Sequence, residues 1–363
     1  LPQHFKNNGY TTLGFGKIFH NDLRLQDSLS WSEPCWLYPS DNAILTYVTK
    51  ENITLQEQSK DNKARPTESA NVPDNAYPDG LATEKAVEAI KKLNSESSPF
   101  FLGIGYYKPH MPFNAPKKYW DLYDPERIPL SEIDSLPIDA PEYLFRNWSE
   151  PASYHGIDQQ EPFKDSLQRH LKHGYLACVS YIDAQIGKLM KTLKEEGLGK
   201  NTIVVLWGDH GWKLGEYGRW SKHSNLDIDT RVPLIIAGPN LDDNQSINGN
   251  IVELLDLYPT LSRMAGLELP DHLQGKDMID GTPKNFAISQ IEHEGKMGYS
   301  LRDKDFRLVI WVDVNKREVV FRELYNHREN DLELENLANL PEYLPIVEKM
   351  SIKLDNELST VSF

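Results

Sequence analysis

The run Val204-Val205-Leu206-Trp207-Gly208-Asp209-His210-Gly211 ends an apolar, β-branched stretch in a carboxylate, an imidazole and a glycine. A strand terminus holds its last side chains at the edge of a sheet, where an adjacent Asp and His can share one metal ion. Carboxylate oxygen suits a hard cation such as calcium, while the imidazole widens the choice toward zinc or manganese. The plainer alternative is that Asp209 and His210 cap the next segment. Directly downstream, Trp212 to Asn225 carries Lys213, Arg219 and Lys222 with Gly215 and Gly218. Lysine as a point charge and arginine as a fork bind sulfate or phosphate oxygens, so this local cation density reads as an anion site, with a solvated loop as the other reading.

Two further clusters carry similar chemistry: Gly14-Phe15-Gly16-Lys17-Ile18-Phe19-His20, and Tyr106-Tyr107-Lys108-Pro109-His110-Met111-Pro112-Phe113 after an apolar run. Each sets a Lys and a His together at an expected strand end. A histidine passes protons near neutral pH, and a lysine neutralises a tetrahedral anion. A single histidine among aromatics is more often structural; four clusters at successive strand ends are harder to assign to chance.

The elements that must hold these residues follow from periodicity. Thr83 to Leu93 predicts a helix feeding a buried strand at Phe100 to Gly105, and Leu167 to Leu193 predicts the longest helix, stopped near Gly197. Thr202 to Trp207 and Val232 to Ala237 read as buried strands, and Ile251 to Met264 returns to helical spacing. Strands alternating with helices predict an α/β fold, a mainly parallel sheet sandwiched by helices, with ligands collecting at the carboxyl ends of its strands. Past about Pro283 the pattern shifts to close-set strands at Phe306 to Val312 and Glu318 to Leu324 and a terminal helix from Glu342 to about Leu358. The expected organisation is a domain over 1–285 and a smaller antiparallel α+β subdomain over 286–363. Asp22 to Pro78 and Tyr123 to Glu161 read as long loops.

Composition narrows the partners. A chain of 363 residues with net charge −15 lacks the sustained basic face that a nucleic acid or membrane surface requires, so an anionic substrate must be held by a local cluster. No apolar stretch approaches the ~20 residues of a membrane span. Leu1 to Gly9 shows no signal-peptide pattern, and the two cysteines, Cys35 and Cys178, predict no disulfide framework.

Taken together, GFGKIFH, PFFLGIGYYKPHMPF, GDHGWKLGEYGRWSKHSN and RVPLII resemble the sulfatases of the alkaline phosphatase superfamily, most of all the iduronate-2-sulfatase branch. The resemblance extends through the YLACVSYIDAQIG and ELLDLYPTL helices to GYSLRDKDFRLVIWV. It implies that Asp209 and His210 supply half of a site for one calcium ion, and that Lys17 and Lys222 hold sulfate oxygens. It implies further that His20 works on the nucleophile, and that His110 binds the sulfate or protonates the leaving alcohol. Lys108, Trp220 and His223 are expected to contact a sulfated saccharide substrate, and export from the cytoplasm is expected from the family's habit.

The sequence departs from the family in two places. The formylglycine nucleophile arises from a C/S-x-P-S-R type motif, whereas Cys35 precedes Trp36-Leu37-Tyr38 and Cys178 lies in a predicted helix. The aspartate pair of the family's first strand is also missing. Both belong upstream of Leu1, so the expectation is a polypeptide that begins after its nucleophile and does not turn over by itself. The competing readings are a phosphodiesterase or phosphonate hydrolase of the same superfamily and a noncatalytic relative that binds sulfated glycans.

Overall fold

The computed structural model describes residues 1–19, 27–40, 43–96, 98–145, 149–157, 160–239, 241, 247–279, 281–282, 284–328 and 330–359. The chain divides into two compact units, Leu1–Ser131 with Ser149–Thr202, and Glu132–Trp148 with Ile203–Phe363. The expected 1–285/286–363 division is thus not the one its internal contacts draw, although the first strand of the C-terminal sheet does begin at Phe286.

The first unit contains α1 (Pro2–Asn7), β1 (Thr11–Gly16), α2 (Lys50–Gln58), β2 (Thr67–Ala70), α3 (Pro78–Asn94), β3 (Phe100–Gly105), β4 (Phe113–Pro116), α4 (Lys117–Trp120) and α5 (Asp165–Glu195). Strand β1 pairs in parallel with β3, and β2 with β4. Register β1/β3 sets Gly16 beside Gly105. A Cβ on Gly16, at φ +73°, would lie 2.2 Å from Gly105 O, and one on Gly105 would lie 1.9 Å from Lys17 O. Only glycine permits this approach, and through it the Lys17 amide reaches Gly105 O at 2.8 Å. Helix α3 starts at Pro78, which is preset for a first turn, and buries Ala82, Ala86, Ile90 and Leu93. Along α5 the buried Leu171, Gly174, Cys178, Tyr181, Gln185 and Leu189 follow helical spacing. Both cysteines are free thiols.

The second unit contains β5 (Val204–Trp207), α6 (Asp227–Thr230), β6 (Leu234–Ala237), α7 (Leu257–Met264), β7 (Phe286–His293), β8 (Lys296–Asp303), β9 (Phe306–Asp313), β10 (Glu318–Asn326) and α8 (Leu344–Ser359). The last four strands form an antiparallel sheet in the order β10-β9-β8-β7. Strand β9 is buried on both faces. Phe306, Leu308 and Ile310 pack with Val347, Met350 and Leu354 of α8, while Val309 and Trp311 pack with Leu144, Phe145, Tyr217 and Leu226. The period of two along β9 therefore divides its side chains between two cores.

Within the second core, Glu323 is fully buried and accepts from Trp311 Nε1 at 2.5 Å and from the Tyr325 hydroxyl. Burial pushes its carboxyl from 4.5 up to about 7. The folded state therefore holds a proton that the unfolded chain has lost between those two pH values. Stability contributed by this group is complete below about pH 4.5 and falls as pH rises to about 7, by at most ~1.4 kcal/mol per pH unit. Glu323→Gln keeps an acceptor for Trp311 and a donor for Tyr325, so its urea-unfolding free energy is expected to lose this slope. Parallel pH dependences for wild type and variant would refute the assignment.

Several elements differ from the sequence reading. Strands β5 and β6 pair antiparallel and are not buried: Trp207 is 46% and Ile235 58% exposed. Among the described residues each pairs only with the other, so this ribbon has no flanking strand to cover it. The expected loop over Asp22 to Pro78 contains α2 and β2. Helix α3 begins five residues earlier than Thr83, at Pro78, and the expected helix from Ile251 is regular only from Leu257. Among the described residues no helix is long and apolar enough to cross a membrane.

Candidate active site

Each unit carries part of the expected site. In the first, Lys17 follows Gly16 of β1 and is half-buried; His20 lies outside the described residues. His110 sits between β3 and β4 on a segment tied down from within. The buried carboxylate of Asp79, in the first turn of α3, accepts the Tyr107 and Lys108 amides at 2.8 and 3.0 Å. The Lys108 ammonium donates to His110 O at 3.1 Å and Pro112 O at 2.6 Å. The His110 ring places Nδ1 2.7 Å from Met111 O and Nε2 3.6 Å from Glu150 Oε1.

In the second unit, Asp209 and His210 follow β5 by two and three residues and are exposed. His210 donates its amide to Asp209 Oδ1 at 3.1 Å, and its Nε2 lies 3.7 Å from Asp209 Oδ2. The segment to Asn225 is a tight loop. The Lys213 amide bonds Ser221 O and the Gly215 amide bonds Arg219 O, both at 3.0 Å. Tyr217 and His223 adopt φ +57° and +75°, a region that costs a non-glycine residue energy and is retained where the surroundings impose it. Lys222, between Ser221 and His223, extends over the Trp212 ring at 5.3 Å.

Three of the expected contacts have another place. Lys108, 7% exposed, donates to backbone carbonyls of its own loop, and Trp220, 1% exposed, lies in the interior. Lys213, read as one of three cations of an anion site, is fully buried and ion-paired to Asp229, which also accepts from Ser224 Oγ at 2.6 Å. Its ammonium lies 4.9 Å from the Phe145 ring centroid. A buried ammonium needs a carboxylate, and Asp229 supplies one. The loop cations that keep exposure are Arg219 and Lys222, both half-buried.

Donor chemistry decides where a metal fits. Asp209 offers carboxylate oxygen beside the His210 ring, which fits a shared hard cation; this is part of the six to eight donors calcium takes. The other grouping among the described residues is Asp227, His327 and Glu333, all buried. There Arg307 bonds Asp227 through Nη2 and Glu333 through Nε, and Arg302 Nε lies 3.1 Å from Asp227 Oδ1. Two guanidinium groups already balance the two carboxylates, so a divalent ion would add uncompensated positive charge. This cluster is a buried ion-pair network, and nothing in the local sequence announced it.

Residues 1–267 match the sulfatase family. The chain belongs to the sulfatase family. Its residues 215–360 also match the C-terminal region described for N-sulphoglucosamine sulphohydrolase. The sulfatase is 31% identical to iduronate 2-sulfatase of Homo sapiens over 394 residues, covering 88% of this chain and 71% of that protein. It is likewise 31% identical to a sulfatase of Formosa agariphila over 351 residues, covering 93% and 66%. Among solved structures it resembles the phosphonate monoester hydrolase of Silicibacter pomeroyi (TM-score 0.76, 21% identity, 98% of this chain and 79% of that one). It also resembles a protein solved in complex with its substrate D-glucosamine-2-N,6-O-disulfate (TM-score 0.66, 19% identity, 98% and 82%). These likenesses place the sulfatase in the alkaline phosphatase-like fold, with parallel strand pairs and helices followed by a C-terminal antiparallel sheet.

Proposed function

We propose that the full-length protein removes sulfate from a saccharide, a 2-O-sulfated uronate at a chain end, outside the cytoplasm. The observation that carries this reading is the placing of a cation beside an acid–base or metal-binding group: Lys17 held by the Gly16/Gly105 approach, and Lys222 in the strained loop that follows Asp209 and His210. Similarity to iduronate 2-sulfatase over 88% of the chain favours the uronate. A terminal residue suits a chain of net charge −15 better than a long polyanion laid in a groove.

In this reading Lys17 and Lys222 neutralise sulfate oxygens, and His223, next to Lys222 in sequence, contacts the substrate. His110 gives a proton to the leaving alcohol, and His20 serves the nucleophile. Asp209 and His210 would hold one calcium ion, which would supply positive charge beside the sulfate ester. In this reading the nucleophile is a formylglycine, as the family resemblance implies.

The test is to assay the full-length protein with calcium on a disaccharide bearing a terminal 2-O-sulfated uronate, beside the same sugar sulfated at another position, a phosphate diester and a phosphonate monoester. Release of sulfate from the first substrate with the highest kcat/KM is expected. Cleavage of the phosphorus esters with no sulfate ester turned over would overturn the proposal in favour of a phosphoryl hydrolase. Tight glycan binding without turnover would make the protein a binding relative.

A further inference from the structure

We infer that Glu150 is a positioning residue that keeps the His110 ring charged, so that Nε2 carries the proton that the leaving alcohol takes. The inference rests on the proposed sulfate-ester chemistry for its catalytic meaning, and on geometry for its substance.

The His110 ring is constrained at both nitrogens. Nδ1 lies 2.7 Å from Met111 O, a pure acceptor, so Nδ1 carries a hydrogen. Nε2 is then the nitrogen that titrates, and it faces the Glu150 carboxylate at 3.6 Å. Catalytic contacts in ligand-free structures are often somewhat long. The His110 and Glu150 side chains are 21% and 7% exposed, so their attraction is screened less than that of a surface pair.

Glu150 is itself anchored. Its carbonyl accepts from the Ser153 amide at 3.1 Å and the Ser153 hydroxyl at 2.6 Å. Lys63 Nζ donates to the same Ser153 hydroxyl at 2.7 Å, and the His155 amide bonds Ala64 O at 2.9 Å. The segment carrying the carboxylate is thereby stitched to residues 63–64, while Asp79 and Lys108 fix the segment carrying the ring.

The other charges near this pair set its balance. The Lys108 ammonium on the His110 carbonyl disfavours an imidazolium; burial lowers its own pKa, and Asp79, Glu68 and Glu150 offset its charge in part. Glu150 is the carboxylate placed against Nε2 and so favours the charged ring. In the reaction, the ester S–O bond breaks with its electron pair left on the sugar oxygen. That oxygen takes the Nε2 proton and departs as the alcohol, the nucleophile's hydroxyl gives its proton to His20 as its oxygen bonds the sulfuryl group, and neutral His110 regains a proton from solvent.

The experiment compares wild type, Glu150→Gln, Glu150→Asp and His110→Ala in the full-length protein on a sugar sulfate and on 4-nitrophenyl sulfate, whose phenolate leaves without a proton. Glu150→Gln is expected to lower kcat on the sugar sulfate about 10²-fold, with KM changed little, and to move the alkaline limb of the profile to lower pH. Its rate on 4-nitrophenyl sulfate should stay within about threefold of wild type. Glu150→Asp should recover part of the loss, and adding Glu150→Gln to His110→Ala should cost nothing further. Equal slowing of both substrates, or an unmoved alkaline limb, would overturn the inference. A second arm needs no turnover: the NMR titration midpoint of the His110 ring should fall by about one pH unit in Glu150→Gln. An unchanged midpoint sinks the pairing whatever the substrate is. A wild type inactive on both sulfates with a shifted midpoint sinks the functional reading alone.

Discussion

Asp209→Ala in the full-length sulfatase lowers kcat/KM on a sulfate ester by about 10³-fold, corresponding to roughly 4 kcal/mol of lost transition-state stabilisation. The expected loss is catalytic and leaves folding intact. The Asp209 side chain is 67% exposed, and a substitution at such a site changes stability by about 0.5 kcal/mol or less. Its carboxylate accepts from the adjacent His210 amide at 3.1 Å and lies 3.7 Å from His210 Nε2. In the proposed reading the carboxylate contributes through the calcium ion it would hold. Removing calcium from wild type with a chelator should lower its activity to near the variant's, and raising calcium should restore part of the variant's rate. Kinetics with matched unfolding curves decide the point. An Asp209→Ala enzyme with wild-type kcat/KM, or a wild type indifferent to chelation, would remove Asp209 from the metal site.

The largest expected effect on stability lies at Arg307. Its guanidinium, 2% exposed, bonds Asp227 and Glu333 and donates to Ser300 Oγ at 2.9 Å. Replacement by methionine keeps much of the volume but leaves two buried carboxylates short of positive charge. Arg302 still reaches Asp227, and the His327 Nε2 lies 3.1 Å from Glu333 Oε1, so compensation is partial. Breaking a buried pair from one side costs about 3–5 kcal/mol. Arg307→Met should accordingly shift the urea midpoint strongly at unchanged m-value. A companion carrying Arg307→Met with Glu333→Gln should recover part of the loss, because one uncompensated charge has been removed. A shift below about 1 kcal/mol in the single variant would mean that the network contributes little to folding.

How much of this was legible in the sequence depends on the range of the interaction. Helix α5 is recognisable because its apolar spacing repeats over many turns, and Gly197 marks its end at φ +74°. Lys17, His110, Asp209 and Lys222 were found as chemical clusters beside apolar runs, and each lies just beyond a strand or in the loop that follows one. Helix α2 and strand β2 were missed because their hydrophobic periodicity is weak. Their region is organised by Glu68, whose carboxylate accepts from Val48 N, Thr49 N, Asn52 Nδ2 and the Tyr77 hydroxyl. Polar hubs of that kind leave no repeating pattern to read.

Residue types and spacing by themselves determined the α/β class, the family, and which short segments carry cations beside acid–base or metal-binding groups, since all of these are local properties of the chain. Tertiary structure alone decided which charges are neutralised inside the protein and by which partners. Lys213 and Lys222 stand in one loop, yet Lys213 meets the buried carboxylate of Asp229 while Lys222 extends over the Trp212 ring. Arg307 finds Asp227 80 residues away, and His110 finds Glu150 on a segment well beyond its own loop. A charge's chemistry depends on its desolvation and its partner, and both are set by folding rather than by sequence neighbours.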